Sequence, residues 1–158
     1  MTAHSAAVII CSDRILAKQK PDTVSSIAAE ALHAAGCRVA PAQLVAEDYA
    51  QIDAALSGAL AAGHRVIMLI GGTGVRAGNW TPEVTQKYVQ LRLHGLETQV
   101  LLAGLEHSAK AGLSRGIIGM TSHEGTLIIT SASSAGAVRD VLGVVTPLLP
   151  SLLGHCEH

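Results

Sequence analysis

Aromatic residues are almost missing from this 158-residue chain: two tyrosines, one tryptophan and no phenylalanine, 2% in all. Proteins that grip single-stranded nucleic acid by stacking need several aromatic platforms, so that function is poorly supported. Charge is scarce too. Eleven lysines and arginines face twelve acidic residues, for a formal net charge of -1, and no basic excess exists to neutralise a phosphate backbone. The three cysteines, Cys11, Cys37 and Cys156, are odd in number and lack C-x-x-C spacing, which argues against a disulfide framework. Cys11 ends an apolar run and reads as a small buried hydrophobe. The eight histidines are dispersed; the terminal His155, Cys156, Glu157 and His158 read as a stray metal binder or a frayed polar tail. No apolar run approaches the ~20 residues of a membrane span. Residues 1–5 carry no basic leader region. The expectation is a soluble, cytoplasmic protein with neither nucleic acid nor membrane as partner.

What the chain does have is aliphatic material. Hydrophobic residues make up 49% and charged residues 15%, enough for a full core and unlike a disordered composition. The length suits one domain over residues 1–158, with no internal repeat or linker.

The most informative stretch is residues 65–83, RVIMLIGGTGVRAGNWTPE. Five of its first six residues are apolar and β-favouring, the mark of a central buried strand. Gly71, Gly72, Thr73 and Gly74 follow directly, and glycines there let the backbone turn sharply and approach a ligand closely. Thr81, Pro82 and Glu83 read as a helix start, with Thr81 as N-cap and Pro82 at N1. Strand, bare glycine loop and helix N-terminus together suggest an anion site, most naturally for a phosphate; the alternative is a tight turn with no ligand. The loop is neither a Walker A motif nor G-x-G-x-x-G.

Around it the chain alternates. Residues 6–11 read as a first strand with Ser12 and Asp13 at its exit. A helix from Asp22 or Thr23 to residue 35 is closed by Gly36. Residues 38–45 read as an edge strand weakened by Pro41, leaving Glu47 and Asp48 at its exit. Helices are expected over residues 52–62, from 81 to about 93, and over 96–111. Two strands, residues 117–121 and 126–131, are joined by a short turn that favours an antiparallel pair. A last helix covers residues 137–153 with a kink at Pro147. The pattern predicts a three-layer α/β/α sandwich with a mostly parallel sheet.

The strand exits in order are Ser12-Asp13, Asp22-Thr23-Val24-Ser25, Glu47-Asp48, Gly71-Gly72-Thr73-Gly74, Thr81-Pro82-Glu83, Leu113-Ser114-Arg115 and the loop from Ser131. Their order and spacing resemble the MogA/MoaB family of molybdenum cofactor biosynthesis proteins over residues 6–153. That resemblance implies a mixed sheet with one antiparallel edge strand, a homo-oligomer (a trimer, in some members a hexamer) and other molybdenum cofactor enzymes as partners. It implies a molybdopterin ligand, held by Ser12, Asp13, Asp22, the four residues of the glycine loop, Thr81, Ser114, Arg115, Ser131 and Ser133. It also implies adenylyl transfer from ATP with Mg²⁺ to the terminal phosphate of molybdopterin, with Glu47, Asp48 and Asn79 at the catalytic positions and Glu47 and Asn79 toward the metal. Some readings stay open. Asp13 touches the pterin or caps its loop; Asp22 serves the site or caps a helix; Arg115 meets a phosphate or a subunit, or is a solvated turn residue; Trp80 stacks on a ring or packs at the rim.

The sequence departs from the family pattern where carboxylates are needed. The family's Arg-Asp before x-T-P-E is here Gly78-Asn79, its first acid after strand two is Glu47, the glycine of D-x-S-G is lost, and P-G-x-P is replaced by Ser131-Ala132-Ser133-Ser134. The acid after the glycine of G-F-x-E is Thr98, with Glu97 adjacent. A neutral amide brings no charge to a metal site. The resemblance therefore implies ligand binding with weakened transfer; the alternatives are a carrier of molybdopterin and an oligomeric scaffold.

Overall fold

A computed structural model describes residues 3–154; the terminal His-Cys-Glu-His motif, residues 155–158, lies outside them. Seven strands form one sheet: β1 (Ser5–Cys11), β2 (Arg38–Val39), β3 (Gln43–Val45), β4 (Val66–Ile70), β5 (Leu91–Arg92), β6 (Ile118–Met120) and β7 (Leu127–Ser131). The order across the sheet is β2, β1, β4, β7, β6, β5, with β3 continuing the β2 edge beside β1. Strands β1 to β4 and β7 run parallel, and β6 runs against both β7 and β5. The antiparallel edge implied by the hairpin is therefore present, with β5 as its outer rail.

The helices are α1 (Asp13–Leu16), α2 (Val24–Ala34), α3 (Tyr49–Ala61), α4 (Thr81–Gln86), α5 (His94–Leu105), α6 (Ala135–Val145) and α7 (Leu149–Leu153). Strand side chains alternate, so each central strand feeds two cores. Ala6, Val8 and Ile10 face one way with Val66, Met68 and Ile70, under Val24, Ala28 and Leu32 of α2 and Val138, Val141, Leu142 and Val145 of α6. Ala7, Ile9 and Cys11 face the other way with Ile67 and Leu69, under Ile52, Ala55 and Leu56 of α3 and Val84 of α4. That is the expected three-layer sandwich.

Several local expectations change. Pro41 divides the second strand into β2 and β3, since proline supplies no N–H to the β1 ladder. The helix opening at Thr81 stops at Gln86, and residues 91–92 form β5 instead of a helical end. Thr81 is not its N-cap: Trp80 holds that position, and the Thr81 hydroxyl donates to the Gly71 carbonyl at 2.7 Å. The helix expected over residues 96–111 is α5 followed by a 3₁₀ turn, Ala109–Leu113. The last helix begins two residues earlier than expected, where the Ser134 hydroxyl accepts from the Ala137 N–H, and tightens to 3₁₀ over Thr146–Leu148 around Pro147. The run Ala135–Leu153 has the length and hydropathy of a membrane span by composition alone, contrary to the expectation that none approaches it. Within the fold one face of this run packs on the core, with Val138, Val141, Leu142, Val145 and Leu149 buried.

Candidate functional site

From β1 the chain runs to one edge of the sheet, into β2 and β3, and returns on the opposite side of β1 as β4. This reversal is a topological switch point, and open α/β sheets bind ligands outside the carboxyl ends of strands there. The glycine loop leaves β4 at this place. Gly71 has φ +99, and a Cβ on it would stand 2.4 Å from the Cys11 carbonyl oxygen at the end of β1. Gly72 has φ +69, and a Cβ would stand 2.5 Å from Thr81 Oγ1. Only glycine fits at either position.

The loop is tied down by its own donors and carbonyls. The Gly71 N–H donates to the Ser131 carbonyl at 2.8 Å, joining the exits of β4 and β7. The Gly74 N–H donates to Asn79 Oδ1 at 2.7 Å. The Gly72 carbonyl accepts from the Thr81 N–H at 3.2 Å, and the Thr73 carbonyl accepts from the Arg115 N–H at 2.9 Å. Among the described residues, the N–H groups of Gly72 and Thr73 have no protein partner. Two adjacent free amides remain where four were expected, still the geometry of an anion nest. The helix end adds little, because α4 has only six residues, its Thr81 N–H is engaged and Pro82 has none.

Thr73 and Thr81 are buried, 2% and 0% exposed, so their hydroxyls face the protein. Ser114 Oγ donates to Thr73 Oγ1 at 3.1 Å. Arg115 is a strap. Its Nε and Nη2 donate to the Gly74 carbonyl at 3.0 and 2.7 Å, Nη2 also to the Asn79 carbonyl at 2.9 Å, and Nη1 to both Glu83 oxygens at 2.9 and 2.7 Å. The Glu83 carboxylate raises the pKa of this guanidinium still further. Neither the Arg115 strap nor the Asn79 clasp is visible in one dimension: the first joins the segment before β6 to the β4–α4 turn, and the second depends on how that turn folds.

The carboxylates at the exits of β1 and β3 interlock. Asp13 Oδ1 accepts from the Glu47 N–H at 2.9 Å, and Glu47 Oε2 accepts from the Asp13 N–H at 3.2 Å. Asp48 caps α3, accepting from the Gln51 N–H at 3.0 Å. Asp22 caps α2 through the Val24 and Ser25 N–H groups at 3.2 and 3.0 Å, and Ser12 caps α1 through the Ile15 N–H at 3.2 Å. Ser131 is buried and donates to the Ala132 carbonyl at 2.8 Å, whereas Ser133 is exposed in the loop before α6.

Among the described residues, no three His, Cys, Asp or Glu side chains gather as a metal cluster. Mg²⁺ binds through one or two carboxylates plus substrate phosphates, so the Asp13–Glu47 pair fits it as a partial site. Asn79 does not fit as its ligand here, since Oδ1 is held by Gly74. The sequence left Asp13 between the pterin and its own loop; the fold sets it beside Glu47.

Cys11 lies under this floor. Burial pushes its thiol up to about 12, opposed by the neighbouring Thr81 hydroxyl and reinforced by the Glu47 charge. It is structural and inert as a nucleophile.

A switch-point glycine loop with two free amides and carboxylates at the neighbouring strand exits is the geometry of an α/β domain with an anion nest. Residues 7–151 match the family described as a probable molybdopterin binding domain, and the chain belongs to that family. It is 33% identical over 148 residues to the molybdenum cofactor biosynthesis bifunctional protein of Synechococcus elongatus, covering 94% of this chain and 46% of that protein. It thus spans about half the length of that relative. Among solved structures, the molybdopterin biosynthesis Mog protein of Mycobacterium ulcerans is 32% identical with a TM-score of 0.86, covering 96% of this chain and 97% of that one. A molybdopterin biosynthesis protein of Mycobacterium abscessus is also 32% identical, TM-score 0.86, covering 95% and 94%. The MogA/MoaB resemblance and the fold it implied are both right.

Proposed function

We propose that this chain acts in molybdenum cofactor biosynthesis by binding molybdopterin through the Gly72 and Thr73 amides, and that it is an adenylyltransferase with a slowed chemical step. The observation that carries the reading is the pair of unpartnered amides at the switch point, beside the interlocked Asp13 and Glu47. In the transfer, an oxygen of the molybdopterin phosphate attacks the α-phosphorus of ATP, the bond to the bridging oxygen breaks, and pyrophosphate leaves. A Mg²⁺ ion would supply neutralisation of the phosphate charge. The protein's part is positioning: the glycine loop orients the acceptor phosphate, Arg115 and Glu83 keep that loop rigid, and Asp13 with Glu47 presents carboxylate oxygens to the metal side.

Asn79 is the reason for the slow step. Its amide closes the loop as a carboxylate could, but brings no charge. The second reading, a molybdopterin carrier without transfer, is favoured by the same residue. We also propose a homo-oligomer, most simply a trimer.

Titrating the purified protein with molybdopterin, then adding ATP and Mg²⁺ and following the adenylylated product, tests the reading. Saturable binding with slow product formation is expected. Binding with no product selects the carrier. Absence of molybdopterin binding overturns both.

A further inference from the structure

Beside the glycine loop runs a shallow cleft of about 550 Å³, lined by Val75, Arg76, Trp80 and Arg115 among others. Two of its side chains have no part in the arrangement above. Trp80 is 44% exposed although it is the only tryptophan of the chain. It meets Tyr49 edge-on, with ring centroids 6.1 Å apart and planes at 77°. Tyr49 opens α3 and Lys87 sits 5.1 Å from its ring centre, so the indole is braced from a rigid element. Packing at this rim would be served by a smaller apolar side chain without leaving so much aromatic surface in water. An aromatic ring held in place with one side wet is a stacking surface.

Arg76 is the second. It is exposed, and among the described residues its guanidinium makes no ion pair or hydrogen bond; only its carbonyl is used, accepting from the Asn79 N–H at 3.1 Å. Arg115 in the same cleft is fully engaged by Glu83, Gly74 and Asn79. The cleft therefore holds one committed cation and one free cation, and the free one shares its wall with the indole.

We propose that Trp80 and Arg76 form a docking pair for a planar heterocycle that carries a phosphate, the indole taking the ring and the guanidinium the anion. Two ligands share this chemistry, a phosphorylated pterin and an adenine nucleotide. The inference deepens the reading of the site given above and rests on it. Arginine suits the anion because its planar fork matches phosphate, and ring stacking on tryptophan tolerates any flat base.

The test compares wild type, Trp80→Ala and Arg76→Ala by equilibrium dialysis against molybdopterin, AMP, neopterin monophosphate, adenosine and inorganic phosphate. Tryptophan emission, corrected for ligand absorbance, is the second readout, since Trp80 alone supplies it. Both side chains are exposed, and far-ultraviolet circular dichroism checks that the variants fold. A ring-phosphate probe should quench emission saturably, and Trp80→Ala should weaken its binding at least about tenfold. Arg76→Ala should weaken it by about tenfold while leaving adenosine unchanged. Response to AMP alone assigns the pair to the nucleotide, and response to the pterins alone assigns it to the acceptor; either supports the proposal. Equal binding of molybdopterin and AMP by all three proteins, or no binding of any ring-phosphate probe, overturns it. If molybdopterin and AMP both bind all three equally, the docking pair fails while the glycine-loop reading stands; if molybdopterin binds none of the three, that reading fails.

Discussion

Asn79 offers its amide oxygen to the Gly74 N–H at 2.7 Å and its backbone carbonyl to Arg115 at 2.9 Å. An aspartate at this position can keep the first contact with one oxygen and present the other, charged, to the metal side. Asn79→Asp should therefore raise the adenylylation rate with little change in molybdopterin binding. One transition-state electrostatic contact is worth roughly 10²–10³ in rate, and a gain of at least tenfold is expected because Gly78 and the Ser131 loop also differ from the active pattern. Single-turnover product formation checks this; an unchanged rate would mean that residue 79 does not limit transfer. Cys11 gives a second outcome at the same scale. Its folded pKa is pushed up to about 12 from a usual 9.0. Between those values the unfolded chain releases a proton that the folded chain keeps, so stability falls as pH rises, by roughly 1.4 kcal/mol per pH unit. Cys11→Ser should flatten that alkaline limb in urea melts at pH 9–11.

The β4–α4 element owes its shape to two glycines with positive φ and to the Thr81 hydroxyl beneath them. Gly72→Ala puts a methyl 2.5 Å from Thr81 Oγ1 in a left-handed conformation. The expected cost is roughly 1–3 kcal/mol, with loss of molybdopterin binding exceeding the loss of stability, since the displaced amide is one of the two free donors. Thermal melts and dialysis on one preparation separate the two effects. The opposite edge of the sheet depends on one carboxylate. Glu97 takes both Arg92 Nε and Nη2, at 2.8 and 2.7 Å, and the Ile118 N–H at 3.0 Å, pinning α5 to β5 and β6. Burial alone would raise its pKa, but Arg92, the Ile118 amide and His94 together lower it. A lowered folded pKa stabilises above the ordinary glutamate range and ceases to do so as pH falls through the folded value. Glu97→Gln should cost about 2 kcal/mol at pH 7. The gap between variant and wild type should close as the pH drops below 4; a constant gap would place the effect in packing.

Across the whole molecule, apolar surface is distributed unevenly. The sheet is covered on both faces, yet α5 has no buried residue, and Leu101, Leu102, Leu105 and Leu113 are 39%, 59%, 44% and 60% exposed. Leu96 and Val100 of α5 pack on the core, which leaves the outward leucines as an apolar patch in want of a second surface. Together with the proposed trimer, this makes the α5 side the expected subunit contact. Sedimentation should show a trimer at micromolar concentration, and Leu102→Glu should shift it toward monomer without unfolding it. A wild-type monomer would sink the proposal. The three aromatic residues lie apart from α5, about α3 and α4.

The sequence alone determined the layers, the central strands and the glycine loop. Those features rest on local rules: continuous apolar runs for buried parallel strands, positive φ for glycine, and Gly36 and Gly63 (φ +93 and +82) where helices end. The family resemblance also pointed to Asn79 and Arg115 as site residues. The tertiary structure decided their contacts. Arg115 is spent on Gly74, Asn79 and Glu83, Thr73 and Thr81 turn inward, and Asp13 finds Glu47, because hydrogen-bond partners are chosen by which strand exits lie side by side, 10 to 41 residues apart in the chain. The short strand β5 was hidden for the same reason. Leu91 and Arg92 have no strand periodicity of their own and become a strand only because Met120 and Gly119 stand opposite to pair with them.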